Sequence, residues 1–181
     1  EISACLVGSE MCIRDSSNSE SAAGFSRSDF EFLELFNPGP QRISLADAAL
    51  SGDVSLRFSD AARWSINPGE RLVLAANPNA FLLRYGPAIP VAGSFSGNLA
   101  DSGGTITLSS PSAVIASISW NDKAPWPIAA DGGGWSLTRI SNSIGSSPES
   151  WRTSVAIGGS PGTSDHIPFS GTATTWPDYA L

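Results

Sequence analysis

The chain has 181 residues, a net charge of −7 at neutral pH, 41% hydrophobic residues and only 15% charged ones. That length and apolar content suffice for one domain with a real core. No basic stripe is present, which argues against binding driven by phosphate neutralisation on nucleic acid, and no run of about 18 apolar residues is available to span a membrane as a helix.

The chain opens EISACLVGSEMCIRDS. Residues 5–16 resemble a translated sequencing adapter, read in one frame without a gap from Cys5 to Ser16. A secretory signal fits poorly, because Glu1, Glu10, Arg14 and Asp15 interrupt any apolar region. Residues 1–16 are therefore set aside from fold reasoning as non-native, and the fragment is expected to be truncated at both ends. The two cysteines, Cys5 and Cys12, both lie in that segment. The remainder has no thiol for a disulfide, a zinc site or a nucleophile, and its redox compartment stays open. Between Arg27 and Gly162 nine basic residues face eleven acidic ones, so this stretch is close to neutral.

Residues 17–27 are small, polar and aperiodic and read as a linker. A strand follows in DFEFLELF, where Phe30, Phe32 and Phe36 share one parity and Leu33 and Leu35 the other. Apolar residues on both faces place it inside the fold. Asn37-Pro38-Gly39-Pro40 ends it in a tight turn. Residues 41–45 form a short strand, and Val54, Leu56 and Phe58 mark a half-buried one. Residues 65–70 read as a turn, and RLVLA at 71–75 as an apolar strand. One helix is expected from Asn77 as cap and Pro78 at the first position to Gly86, with Phe81, Leu82 and Tyr85 sealing one end of the core. Further strands are expected at 105–109, 114–120 and 135–140. Seven or so short strands between frequent turns argue for an all-β sandwich or barrel.

Three ordered blocks carry a family resemblance: FEFLELFNPG with ISLADAALSGD at 30–53, NPGERLVLAANPNAFLLRYG at 67–86, and APWPIAADGGGWSLTRI with ESWRTSVAIGGSPG at 124–162. In order and spacing they resemble the bacterial lamin-tail domain. The resemblance covers about 135 residues and departs at Ala48, where many relatives carry a tryptophan. It implies an immunoglobulin-like β-sandwich with one short helix over residues 28–162, followed by a linker at 163–181. It also implies a non-catalytic module of a secreted or cell-surface protein, often beside nuclease, phosphoesterase or kinase-like domains. No catalytic residues come with the family.

The candidate chemistry is thin. His166 is the single histidine, and its neighbours Ser164 and Asp165 are adjacent in one loop, which does not build a triad. Glu31 and Glu34 have opposite parity, so they face opposite sides of a strand; one is expected to face solvent and the other to cap a turn or meet an arginine. Asp101, Asp122 and Asp131 are oxygen donors without calcium-loop spacing, read more simply as turn formers. The glycines at 132–134 precede a strand and lack a following Lys-Ser/Thr, so they read as a turn or bulge and not as a phosphate loop. Trp64, Trp120, Trp135 and Trp151 read as packing residues. Trp126, held between Pro125 and Pro127, is either a plug over the end of the sandwich or an aromatic platform for a sugar or protein.

The expectation is a binding or tethering module with Trp126, Asp122 and Asp131 as ligand-binding candidates. Its partner is a protein or cell-surface polymer. No cofactor, nucleic acid or membrane insertion is expected. A structural spacer, or an accessory carbohydrate-binding domain attached to a hydrolase, is the alternative.

Overall fold

The computed structural model describes residues 24–59, 63–130, 134–140 and 147–165, and the main chain alone at 3–5 and 129. It is an all-β, sandwich-like fold with one short α-helix. The strands in chain order are β1 (Ser3–Cys5), β2 (Phe32–Phe36), β3 (Ile43–Ser44), β4 (Ala49–Gly52), β5 (Val54–Arg57), β6 (Ser65–Ile66) and β7 (Arg71–Ala75). After the helix α1 (Pro78–Tyr85) come β8 (Val91–Ser94), β9 (Ser96–Gly97), β10 (Gly103–Ser109), β11 (Val114–Asn121), β12 (Trp135–Arg139) and β13 (Trp151–Ile157).

One sheet has the order β1-β2-β7-β8, the other β11-β10-β4-β5-β9, and β12-β13 and β3-β6 form two small pairs. Pairing is antiparallel except between β7 and β8, which the helix connects in parallel. That connection is the crossover a parallel pair requires. Leu33, Leu35, Leu72 and Leu74 from the first sheet share one core with Leu50, Val54, Ile106, Leu108, Ile118 and Trp120 from the second. Leu137 and Trp151 of the β12-β13 pair join it, as does Ala48.

The alternation in β2 explains the layering. Leu33 and Leu35 point into that core, whereas Phe32 points the other way, onto Val73, Ala75 and Phe81. The helix thus covers the outer face of β2 and β7. Its start is set by Asn77, whose Oδ1 accepts from the N–H of Asn79 at 3.0 Å and of Ala80 at 3.4 Å. Gly86, at φ 76°, closes it. Burying Phe81 contributes about 1.5–3 kcal/mol, and its ring stands edge-on to Phe32 at 5.7 Å. Leu82, expected in this seal, is instead half exposed: one face of an eight-residue helix is too narrow for it beside Phe81 and Tyr85.

Several further expectations are corrected. Residues 27–30 form a 3-10 turn ahead of β2, and Phe25 already stacks edge-on against Phe30 at 5.9 Å. The turn expected at 65–70 begins later, because Ser65 and Ile66 pair with Ser44 and Ile43. Gly69, at φ 73°, makes the turn that remains. Strands β1, β4, β8, β9 and β13 were not expected, β1 because residues 1–16 were set aside from fold reasoning.

The largest correction concerns the expectation that one of Glu34 and Glu31 faces solvent: neither does, not even Glu31. It is buried, and its Oε2 accepts from the N–H of Leu99 at 2.8 Å. Glu34, on the opposite face, meets an arginine as expected. Its fully buried side chain is 2.5 Å from Arg71 Nη1, and its other oxygen accepts from the N–H of Gly162 at 2.7 Å. Asn37, also buried, donates to the carbonyls of Gln41 at 2.7 Å and Ile66 at 2.9 Å. Its Oδ1 accepts from Gly39 N–H at 3.0 Å, which builds the Asn-Pro-Gly turn.

Burial pushes the Glu34 carboxyl above its ordinary 4.5, outweighing the opposing pull of Arg71 and of the Gly162 N–H. A raised carboxyl favours the folded chain most fully below that ordinary value, and the contribution is lost as pH rises through the folded value. Asp29 has the opposite sign. Hydrogen bonds from Ser26 and Asn77 hold it below its ordinary 3.8, so its contribution is present above that value and lost as pH falls through the folded one.

Arg71→Met strands the Glu34 carboxylate in the interior. The variant is expected to lose about 3 kcal/mol at pH 7.5, as when one partner is stripped from a buried pair. The loss shrinks at pH 4.5, where the acid can protonate. Thermal unfolding at both pH values checks this, and an equal loss at the two would contradict it.

Candidate functional site

The loops with the most chemical potential gather where β10 begins and β11 ends. Gly103 pairs with Asn121 and Gly104 with Trp120, so the segment before Gly103 and the segment after Asn121 leave the sheet side by side. The β4–β5 turn reaches the same end, where the N–H of Asp53 donates to the Thr105 carbonyl at 3.0 Å.

The 121–130 loop is built by consecutive local bonds. Asn121 Oδ1 accepts from the Lys123 N–H at 2.9 Å. The Trp126 N–H donates to the Lys123 carbonyl, and the Ala130 N–H to the Pro127 carbonyl, each at 3.0 Å. The Ala124–Pro125 peptide bond is cis. Prolines on both sides of Trp126 supply no N–H and fix the chain direction, so the ring is presented by a chain held at both ends.

Trp126 lies half-buried against the core. Its ring is 6.4 Å from that of Trp151, tilted by 38°. The Arg139 guanidinium stands over Trp151 at 5.2 Å. Trp126 therefore serves as part of the lid on the core and still keeps some ring surface open to solvent. Ile128, two residues on, is 65% exposed.

Asp122 is half-buried on the same loop, with a sheltered Oδ1 that has no hydrogen-bond partner. Asp53 resembles it: its Oδ2 is also sheltered and unpartnered. A Cβ placed on Gly104 would lie 1.6 Å from that oxygen and 2.8 Å from the Trp120 ring, so the carboxylate occupies the space a side chain would need. Trp120 and Asp122 share a parity on β11 and its extension. Sequence reasoning missed Asp53, which reads as an ordinary turn residue after Gly52; its one signal is the Gly103-Gly104 pair that makes room for it.

Asp101 is exposed and contributes to a separate cleft of about 330 Å³, lined also by Ser26, Arg27, Ser28, Glu31, Asn98 and Leu99. The structure thus brings Asp122 and Trp126 onto one loop and gives Asp101 to a different hollow. Asp131 and His166 lie outside the described residues, as do Gly132 and Gly133. Gly134 is described and has a positive φ of 80°, in keeping with a turn before β12. Among the described residues no group of three or more histidine, cysteine, aspartate or glutamate side chains is placed to hold a metal ion. Asp165, beside His166, is engaged structurally: it accepts from Arg152 Nη1 at 2.6 Å, from Ser160 Oγ at 3.0 Å and from the Val155 N–H at 3.1 Å. Trp64, Trp120 and Trp151 are buried in the core, as their packing role requires, and Trp135 is half-buried.

No family model matches the chain, and no curated protein is similar to it.

Gly104→Ala is expected to destabilise the fold by about 1–3 kcal/mol through overpacking against Asp53 and Trp120. Asp53→Ala, which removes the obstructing oxygen, should recover part of that loss in the double variant. A double-mutant cycle by urea unfolding measures the coupling; strictly additive losses would show that the two sites do not meet.

Proposed function

We propose that this chain is a non-catalytic binding or tethering module of the lamin-tail type, belonging to a larger secreted or cell-surface protein, and that the 121–130 loop is where it meets a partner. The observation that carries this reading is the presentation of Trp126. The ring rests on Trp151 from a loop held by its own hydrogen bonds, with Ile128 exposed beside it. Half-sheltered aromatic residues on rigid supports are favourable contact points, because little conformational entropy is lost when a partner covers them.

The use made of the buried acids supports the same reading. Glu31, Glu34 and Asp165 each accept from main-chain N–H groups, so their oxygens are committed to holding loops. The immunoglobulin-like family, the surface location and the protein or polymer nature of the partner belong to the proposal. Among the described residues, no helix is long and apolar enough to cross a membrane.

An accessory carbohydrate-binding role is the second reading, and Asp122 favours it. Asp122 is half-buried on the loop that carries Trp126, and an acid and an aromatic ring on one loop are the residue types that meet sugar hydroxyls and C–H faces. Trp126 and Asp122 are then the first residues to test, with Asp131 as the third candidate from the sequence.

Acrylamide quenching of the chain and of Trp126→Phe separates these readings from a plain spacer. The emission lost in the variant should be quenched to an intermediate degree, and a bound partner or glycan should protect it. Full protection without any ligand, together with a lower melting temperature in Trp126→Phe, would leave the loop a structural plug and remove the binding role.

A further inference from the structure

An edge strand presents a row of unpaired main-chain groups and is normally blunted by a charge, a proline, a bulge or a covering segment. This molecule blunts several of its edges with side chains. At β8, Arg63 donates to the Ala92 carbonyl at 3.0 Å. At β13, Asp165 accepts from the Val155 N–H at 3.1 Å, and Arg152 donates to the Thr153 carbonyl at 2.8 Å. Strand β9, which ends the five-stranded sheet on one side, is only two residues long.

Strand β11 ends the same sheet on the other side, with no covering strand among the described residues. It is eight residues long, VIASISWN, and holds neither a charge nor a proline. No charged residue occurs anywhere from Ser102 to Asn121. Its one irregularity, a register shift against Leu108 and Ser109 of β10, lies at its start and leaves residues 116–121 regular.

The main-chain directions follow from the ladder. The Asp53 N–H donates to the Thr105 carbonyl, so Thr105 turns its main chain toward β4, and Gly104 and Ile106 turn theirs toward β11. Trp120 and Ile118, which pair with those two residues, therefore bond back to β10. The alternate residues 117, 119 and 121 turn their N–H and C=O groups to the outer side. Among the described residues, Ser119 has no main-chain partner there. Its hydroxyl meets that of Thr105 at 2.8 Å, so the side chain does not fold back over the edge.

We propose that β11 is a self-association edge: a second copy of this chain adds its own β11 antiparallel to it, about a two-fold axis near Ser119, and joins the two five-stranded sheets into one. A two-fold pair brings each position opposite itself or its near neighbours, where any charge would meet its like. This strand is uncharged throughout and so fits itself. Asp122 and Lys123, just beyond it, fall opposite the uncharged start of the partner strand. A charged foreign strand, by contrast, would find no countercharge along it. A single-edge contact is smaller than the about 1,000 Å² of a stable interface, so the dimer is weak, with a Kd on the order of 100 µM. The proposal goes beyond the tethering reading and does not depend on Trp126.

The test uses the full chain under reducing conditions, so that Cys5 and Cys12 do not link copies. Sedimentation equilibrium between about 10 µM and 1 mM should show a reversible monomer–dimer equilibrium. Ser119→Lys, which sets two ammonium groups against each other at the axis, should weaken it by about tenfold or more. In the parent, the Ser119 amide should exchange about fourfold slower at the high concentration than at the low one, whereas the Ile118 amide, bonded to β10, stays protected at both. The amide comparison needs no variant, so it decides the matter even if Ser119→Lys does not fold. A chain that stays monomeric over the range, a dimer that Ser119→Lys leaves intact, or a Ser119 amide indifferent to concentration would overturn the proposal.

Discussion

Three polar side chains spaced three residues apart along one extended segment, Glu31, Glu34 and Asn37, tie the distant loops of this molecule to its sheets. Glu31 holds the Leu99 N–H, 68 residues away; Glu34 holds Arg71 and the Gly162 N–H, 128 residues away; Asn37 holds the Ile66 carbonyl. Because side chains alternate along a strand, the first and third reach into the interface between the sheets and the second reaches the outer face beneath the helix and the closing loop. A buried polar group without a partner costs about 1–3 kcal/mol, so each of these three stabilises one loop arrangement against its alternatives.

The consequence reaches the surface. Leu99 precedes the turn into β10, and holding it fixes the segment that runs beside the 121–130 loop; Trp120 Nε1 adds a second tie, donating to the Ala100 carbonyl at 3.1 Å. Gly162 closes the chain onto Glu34, with Gly159 close to the Phe32 ring and Tyr85 donating to the Gly158 carbonyl at 2.7 Å. The loop carrying Trp126 is therefore supported from the sheet below and from Trp151 beside it. The proposed contact role needs such support, because a rigid presenter loses less entropy on binding than a mobile one.

Much of this was legible from the sequence. Arg71–Ala75 is a strand at the positions its apolar run indicates, Asn77-Pro78 and Gly86 bound the helix, and the two-sided apolar character of residues 30–36 correctly places β2 inside the fold. The missed strands have physical reasons. VAGS and SG in β8 and β9 are made of small residues with no alternation to detect. In β13 the register shifts against β12 between Trp135 and Leu137, so the period-two pattern of WRTSVAI breaks. That neither Glu31 nor Glu34 faces solvent was hidden because the partner of Glu31 is a main-chain N–H of a residue far along the chain, which no local pattern reveals. Asp53 was invisible for a similar reason: its setting depends on Gly104 of the neighbouring strand β10. The pairing of Trp126 with Trp151 likewise needs the fold, since the residues are 25 positions apart and on different elements.

Native-state hydrogen exchange of the Leu99 and Gly162 amides tests most directly whether the buried acids lock these loops. If Glu31 and Glu34 hold them as described, both amides should open only with the core, at free energies matching those of Leu33 and Leu74 in the centre of the sheet. If they exchange instead as fast as the exposed turn amides of Ser112 and Ala113, the loops move independently of β2, and the account of how this molecule positions its surface fails.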